Sequence, residues 1–210
     1  MRERVKNSMR QLLLVLLFAT TMATLSTIDA VAAPAPATPE SEHCTIDPLD
    51  PNQLTAIVRA GFEPAPRLEK SDQPAPATDL VAMFDVLTES VACTNANQPM
   101  RALALYTDRY LAERFSGQQG ADELGHLIAA SSRSPKPAAP EDQLVLLSVA
   151  DPILYGNGRI GATVTTANAD ETFVDQIIFA STDSGWRIDQ VVLGEAIHAT
   201  PAATPGSTQP

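Results

Sequence analysis

Apolar residues recur with two different periods along this chain, and the change from one to the other falls at Pro140. Before Pro140, apolar side chains are spaced three and four residues apart, which is typical of helices with one buried face. After Pro140, apolar and polar residues alternate, as they do in strands. The pattern predicts an α+β fold, in which amphipathic helices pack on one side of a curved antiparallel sheet.

Capping residues and prolines place the ends of the helices. Thr78 is a suitable N-cap for a helix whose apolar stripe ends near Cys93. Asn97 is the expected cap of the next helix, because Pro99 then falls in the first turn, where a missing N–H is harmless. The expected helices cover residues 51–60, Thr78 to Cys93, Asn97 to Gly117, and residues 122–130.

Four alternating segments are expected to form the sheet. They cover residues 143–149, 159–166, 172–180 and 186–193. The connections at residues 155–158, 167–170 and 183–185 are rich in Gly, Asn and Asp, which favour tight turns. Consecutive strands joined by tight turns pair antiparallel, so the sequence predicts a meander.

The two ends of the chain differ in composition from its middle. Residues 33–42 and 194–210 are poor in large apolar side chains. The first segment is therefore expected to be a disordered linker, and the second a disordered tail. Residues 43–77 form an N-terminal strap with one short helix and several prolines. The strap either lies across the domain, which is expected to cover residues 78–193, or extends from it.

The first 32 residues have the three parts of a secretory signal peptide. These parts are the basic residues Arg2, Arg4, Lys6 and Arg10, an apolar stretch opened by Leu12 to Phe18, and the small residues Ala30, Val31 and Ala32. The pattern predicts export by the general secretory route, with cleavage between Ala32 and Ala33. The alternative is an uncleaved membrane anchor over residues 12–28, although threonines dilute its second half.

Cleavage of this signal would leave a strongly acidic protein. Four basic and two acidic side chains leave with residues 1–32, so 10 Lys and Arg remain against 23 Asp and Glu, a formal net charge of −13. Such a surface repels phosphate backbones and anionic lipid headgroups. Neither nucleic acid nor a membrane is therefore an expected partner of the cleaved chain.

The chain has two cysteines, Cys44 and Cys93. In an oxidising compartment, a single pair is most simply interpreted as one disulfide, here closing a loop of about 50 residues. A zinc site needs more ligands, and of His43, His126 and His198 only His43 is near a cysteine. No metal and no cofactor is expected.

Three short segments carry a resemblance to a known superfamily. They are VACTNAN at residues 91–97, RALALYTD at residues 101–108 and GWRID at residues 185–189. With the order of the elements, they resemble the NTF2-like, or SnoaL-like, superfamily over residues 78–193. The resemblance implies a cone, in which a short helical layer packs on a strongly bent sheet. Members include isomerases, dehydratases and cyclases, and also binding modules without activity.

For an enzymatic member, the resemblance implies a carboxylate or histidine base and a tyrosine donor inside the cone. Tyr106, Asp108 and Tyr110 are the local candidates, and the two tyrosines are four residues apart, on one helix face. Core packing also explains the tyrosines, and a solvated surface also explains Asp108. His126 is a further candidate, although an exposed or core-edge histidine explains it too.

Asp175 is the acid of most interest on the predicted sheet, because it alternates onto the same face as Phe173. If that face lines the cone, Asp175 with Gln190 or Thr165 nearby forms a polar ligand site; if the opposite face does, Asp175 is solvated. Trp186 is interpreted either as a pocket residue or as a core residue of the last strand. The expected lining of a pocket is Tyr110, Phe173 and Trp186.

Three functional hypotheses follow. The first is a secreted, non-enzymatic NTF2-like module that binds a small apolar ligand or a protein partner. The second is an exported SnoaL-like isomerase, cyclase or dehydratase acting on a hydrophobic cyclic substrate, with Asp175 or Asp108 as base and Tyr106 or Tyr110 as donor. The third is a homodimer formed through the exposed face of the sheet, with a filled interior. The sequence has no nucleophile elbow, phosphate-binding glycine loop, HExxH or Ca²⁺-loop motif, which is consistent with the first hypothesis.

Overall fold

A computed structural model describes residues 38–194 and 197–198 of the chain. The predicted signal peptide, its cleavage site between Ala32 and Ala33, and residues 33–37 of the predicted linker lie outside the described residues. So does most of the predicted tail. In the described part of the chain, no helix is both long and apolar enough to cross a membrane.

Five α-helices precede the sheet within the described residues. They are α1 (Pro51–Ala60), α2 (Ala77–Asn95), α3 (Pro99–Leu103), α4 (Asp108–Arg114) and α5 (Gly117–Ser131), with short 3-10 turns at Ser41–His43 and Pro140–Asp142. The prediction of α1 is confirmed at both ends. Asp50 caps this helix, because its Oδ1 accepts hydrogen bonds from the N–H groups of Asn52 and Gln53.

The strands form one antiparallel sheet. Its members β1 (Val145–Leu154), β2 (Ile160–Ala167), β3 (Glu171–Thr182) and β4 (Gly185–Val192) pair in chain order. A short fifth strand, β5 (Ile197–His198), falls in the predicted tail and pairs with Glu171 and Thr172 of β3. Bulges in β1 and β4 interrupt the register and bend these strands. The predicted α+β class and the predicted meander are confirmed.

The predicted N-cap of α2 is wrong. Pro76 caps the helix, because its carbonyl accepts hydrogen bonds from the N–H groups of Asp79 and Leu80. Thr78 therefore lies inside the first turn, where its side chain is exposed.

Asn97 ends α2 instead of starting α3. Its φ is 53°, its N–H donates to the carbonyl of Thr94, and the N–H of Gln98 donates to the carbonyl of Cys93. These two bonds form a Schellman motif, which satisfies the last carbonyls of the helix. Only the place of Pro99, in the first turn of α3, agrees with the prediction.

The single helix predicted for residues 97–117 is divided in two by its contact with the sheet. Between α3 and α4, the N–H of Thr107 donates to the carbonyl of Ile188, and the N–H of Ile188 donates to the carbonyl of Leu105. The segment therefore pairs with β4 in parallel, at Tyr106 and Ile188. Backbone groups bonded to a strand cannot also form helical hydrogen bonds, so the helix stops there.

The main core lies between α2 and one face of the sheet. Its buried members are Met83, Val86, Leu87, Leu105, Leu146, Ile160, Ala162, Val164, Phe179 and Ile188. Side chains of α2 and of all four long strands thus form one packed cluster on the inner face of the curved sheet.

A second cluster attaches α1 to the remaining helices. Leu54 has no exposed surface and packs against Met100, Leu111 and Phe115. Just ahead of α1, the N–H of Leu49 donates to the carbonyl of Met100. The first part of the strap, through α1, therefore packs on the domain.

The start of the strap is held by a covalent bond and by a carboxylate. Cys44 and Cys93 form a disulfide, which confirms the predicted pair. Next to it, Glu89 Oε1 accepts hydrogen bonds from the N–H groups of Thr45 and Ile46 and from the Thr45 hydroxyl. A loop of this length restricts the unfolded chain by about 4 kcal/mol in the chain-entropy model.

Candidate functional site

Asp189 is a charged side chain buried inside the fold, with 2% of its surface exposed. It lies in β4 between Ile188, which pairs with Phe179, and Gln190, which pairs with Ile178. Asp189 has no partner of its own on β3 and is the extra residue of a β-bulge. Because a bulge turns a side chain away from the strict alternation of a strand, the carboxylate meets α4 and the start of β2.

Three side chains donate to this carboxylate. Thr107 Oγ1 lies 2.7 Å and Arg109 Nε 3.1 Å from Oδ1, and Arg159 Nε lies 2.8 Å from Oδ2. Arg109 also donates through Nη2 to the backbone carbonyl of Asp189, and through Nη1 to Glu113 at 2.6 Å. The contacts connect α4, β2 and β4 at one point.

The environment of Asp189 favours its ionised form. Burial raises the pKa of the carboxyl, but hydrogen bonds from Arg159, Thr107 and Arg109 outweigh burial, so the pKa lies below its usual value. A carboxylate with a lowered pKa that is engaged by two cations is a poor general base. The arrangement therefore holds elements together and does not provide an acid or base.

Tyr106 and Tyr110 form a second feature, on the helical side of the molecule. Their rings stack with centroids 5.0 Å apart and planes inclined by 21°. Burial raises the pKa of the Tyr106 hydroxyl, which also hydrogen-bonds to Ser90, and burial raises the pKa of Tyr110. Both rings are therefore neutral at physiological pH.

These tyrosines line a recess of about 270 Å³, called here the tyrosine recess. Its other walls are Cys93, Thr94, Asn97, Gln98, Pro99, Ala102, Leu103, Arg114, Phe115, Glu123 and Leu127. Arg114 and Glu123 form a partly exposed ion pair there, with Nη1 and Oε2 2.7 Å apart. A volume near the lower end of ligand pockets, with mostly apolar and aromatic walls, suits a small apolar molecule.

Asp108 and His126 do not join the tyrosines. Asp108 is exposed at the start of α4, where it lines a different recess of about 520 Å³ together with Phe62 and Arg109. His126 is exposed on α5. Of the candidates on the predicted helices, the structure thus brings together only the two tyrosines.

Asp175 lies on the core-facing side of the sheet, because it pairs with the buried Val164. Its Oδ1 accepts a hydrogen bond from the N–H of Gly194 at 3.0 Å. Gln190 and Thr165 lie on the opposite face of the sheet, as their register shows. The three polar groups that the sequence places near one another are therefore not assembled into one site.

Phe173 and Trp186 are not at the tyrosine recess. Trp186 packs at the margin of the main core. Phe173 is half-buried and pairs with Thr166 near the start of β3. Of the three residues expected to line a pocket, Tyr110 is the one that lines this recess.

The cluster around Asp189 was not predicted from the sequence. Strict alternation places Asp189 on the face opposite Ile188, where it would be solvated. Nothing in the strand pattern indicates the bulge, and Arg109 and Arg159 come from distant parts of the chain. The one available signal was the GWRID segment, which marks the strand but not its irregularity.

Within the described ranges, no group of three or more His, Cys, Asp or Glu side chains is placed to hold a metal ion. In comparisons with known proteins, no family model matches this chain, and no curated protein or solved structure matches it significantly. Inference about function therefore rests on the geometry of the molecule itself.

Proposed function

We propose that this protein is an exported, non-enzymatic binding module of the NTF2-like kind, and that it binds a small apolar ligand in the tyrosine recess. The observation that carries the proposal is a preformed recess with stacked aromatic rings, at the edge of the second cluster. Leu103, Phe115 and Leu127 add apolar walls, and burial of such surface by a ligand is favourable.

The order of the elements supports the NTF2-like assignment. Helices come first, and a bulged antiparallel meander follows, with the longest helix, α2, packed on one of its faces. This is the arrangement that the resemblance of residues 78–193 implies.

Two features favour binding over catalysis. The enzyme hypothesis needs a cavity between α2 and the sheet, and packed side chains occupy that space. The acids near the candidate groups are engaged in ion pairs, Asp189 with two arginines and Glu123 with Arg114. Both carboxylates are therefore occupied by cationic partners, which disfavours a role as general base.

The proposed location rests on the disulfide and on the signal pattern. A buried disulfide indicates an oxidising compartment, since cytosolic thiols are kept reduced. The basic start, apolar stretch and small residues ahead of Ala33 provide a route to such a compartment.

An uncharged naphthylamine fluorophore tests the proposed ligand site. Its emission should rise and saturate on addition of the chain that begins at Ala33. Ala102→Leu adds bulk to the wall of the tyrosine recess and should weaken binding about tenfold, which corresponds to about 1.4 kcal/mol.

Ala121→Leu is the matched control, because Ala121 is exposed on α5 and does not line this recess. This variant should bind like the wild type. Equal affinity in both variants, or no saturable binding to the wild type, would contradict the proposal.

A further inference from the structure

A larger recess, of about 580 Å³, lies where three parts of the chain meet: the strap just before α1, the turn from α2 into α3, and the end of α5. We call it the strap recess. Residues 48–51, 97–101, 130–131 and 133–136 contribute to its walls. It borders the tyrosine recess through residues 97–99, which line both.

The strap recess is positively charged in a protein that is otherwise acidic. Arg101, Arg133 and Lys136 line it, and Asp50 is the one acidic side chain among the described residues of its lining. Beyond residue 32, the chain has 10 Lys and Arg against 23 Asp and Glu. Three of these ten cations therefore surround a single recess.

The positive charge of the recess is not neutralised from within. Asp50 already accepts hydrogen bonds at Oδ1 from the first N–H groups of α1, and the positive end of that helix offsets its charge. Among the residues that the structure describes, neither Arg133 nor Lys136 lies within ion-pair distance of a carboxylate. Both side chains are exposed and can turn towards a ligand.

Arg101 is fixed in place and still has donors to offer. Its Nη1 donates to the carbonyl of Ile46 at 2.6 Å and to the carbonyl of Cys44 at 3.4 Å. A guanidinium has five N–H donors, so those on Nε and Nη2 remain for an acceptor. The strap, tied by the disulfide at Cys44, thus orients this cation.

The uncharged part of the lining combines apolar residues with the polar side chains of Asn97, Gln98, Ser131 and Ser134. Met100 is buried in the second cluster, and Leu49 packs against that cluster. Pro48, Pro99 and Pro135 add rigid apolar surface. A purely ionic ligand would leave this surface uncovered, whereas a ligand with an apolar part would bury it.

We propose that the strap recess binds an organic carboxylate with a short apolar body. The carboxylate meets Arg133, Lys136 and the remaining donors of Arg101, and the apolar body lies against Leu49 and Met100. Arginine is suited to this role because its N–H groups pair with both carboxylate oxygens. The acidic remainder of the surface repels long polyanions, so the ligand is small. This site is distinct from the tyrosine recess and does not rest on the ligand proposed there.

Hexanoate is the probe for this proposal. Titrated into the disulfide-bonded chain and followed by amide NMR, it should cause saturable shifts at residues 97–101 and 133–136. The double variant Arg133→Gln, Lys136→Gln should weaken binding about fivefold, since each exposed charge pair contributes modestly. Arg101 is left unchanged, because its substitution would also release the strap.

Arg67→Gln, Lys70→Gln is the matched control. It removes the same two residue types at the same spacing, from exposed positions outside the recess. Hexanoate should bind this control as it binds the wild type. Equal weakening in both double variants, or shifts that do not saturate, would overturn the site.

Two further ligands test the chemical class. Hexanol, which has the same apolar body without the charge, should bind about fivefold more weakly or worse. Inorganic phosphate should also bind more weakly than hexanoate. Equal binding of hexanol would overturn the role of the carboxylate, and equal binding of phosphate would overturn the role of the apolar body.

Fluorophore binding in the tyrosine recess should persist in the Arg133→Gln, Lys136→Gln variant. Failure of the proposal for one recess can therefore be distinguished from failure of the proposal for the other.

Discussion

At the scale of single residues, Asp189 connects parts of the fold that are far apart in the sequence. Its carboxylate is held by Thr107 just ahead of α4, by Arg109 within α4, and by Arg159 just ahead of β2. The two arginines are themselves mostly buried, with 14% and 21% of their side chains exposed. Removal of the carboxylate would leave Arg159 without its counter charge and Arg109 with only the partly exposed Glu113.

Asp189→Asn should therefore lower the free energy of unfolding by about 3 kcal/mol at neutral pH, since the remaining charges are only partly solvated. Urea denaturation followed by circular dichroism measures this change. Asp85→Asn, on the exposed face of α2, is the control and should change stability by less than about 0.5 kcal/mol. A similarly small loss for Asp189→Asn would show that the cluster is dispensable.

The lowered pKa of Asp189 makes this contribution depend on pH. As pH falls, the unfolded chain takes up the proton first, near its ordinary pKa of about 3.9. The stabilisation is therefore complete above that pH and is lost as pH falls through the lower pKa of the folded state.

The difference in unfolding free energy between the wild type and Asp189→Asn should stay constant from neutral pH to about pH 5 and shrink below about pH 4. Urea titrations at a series of pH values measure it. A difference that is unchanged at the most acidic pH would contradict the assignment of the charge to Asp189.

The contact between Tyr106 and Tyr110 could be predicted from the sequence, although the two residues do not lie on one continuous helix as expected. Spacing alone placed Tyr106 and Tyr110 on one face, and their rings do stack. Tyr106 nevertheless precedes α4, in the segment that pairs with β4. The rings still meet, because Tyr106 directly precedes Thr107, which caps α4, and Tyr110 lies in the first turn of that helix.

At the scale of secondary-structure elements, the position of α5 depends on a close contact at Gly120. A Cβ atom at this position would lie 2.4 Å from the carbonyl carbon of Phe115, which is too close for any real contact. Gly125, five residues later in the same helix, has nothing within 4 Å of an added Cβ. The two glycines therefore provide a matched pair.

Gly120→Ala should lower the free energy of unfolding by about 1–3 kcal/mol, because either α5 or the backbone of Phe115 has to move. Gly125→Ala should raise it by about 0.5–1 kcal/mol, because alanine favours the helix. Thermal or urea unfolding of both variants measures these values. Equal effects of the two substitutions would show that α5 does not pack closely on Phe115.

The sequence pattern predicted the positions of the strands better than it predicted the ends of the helices. Alternation and turn residues located all four long strands, but β1 continues beyond the predicted residue 149, through Pro152. Proline is tolerated there because β1 lies at the edge of the sheet and is bulged at this point. The break between α3 and α4 was not predictable, since it follows from hydrogen bonds to β4.

At the scale of the whole molecule, the proposed export would determine which residues form the mature protein and which redox state its cysteines reach. Intact-mass analysis of the exported protein should give a chain that begins at Ala33, with a mass two hydrogens below that of the reduced chain. Reduction under denaturing conditions should restore those hydrogens, because the disulfide is otherwise buried.

Ala32→Leu is the control for this experiment. It removes the small residue that the signal peptidase accepts, so residues 1–32 should remain attached. An intact N-terminus on the wild-type exported protein would contradict the predicted cleavage, and no change of mass on reduction would contradict the disulfide.

The sequence by itself determined the α+β class, the antiparallel meander and the identity of the disulfide. Each of these depends on information that is local or countable: a period of apolar residues, a set of turn residues, a single pair of cysteines. Tertiary structure decided the bulge at Asp189, the pairing of residues 105–107 with β4, and the tyrosine and strap recesses. The physical reason is that a periodic pattern reports how a segment divides between core and solvent, but not which distant segment it meets. Arg109 and Arg159 bind the same carboxylate, and residues 48–51 lie beside the end of α5, only when the whole chain has folded.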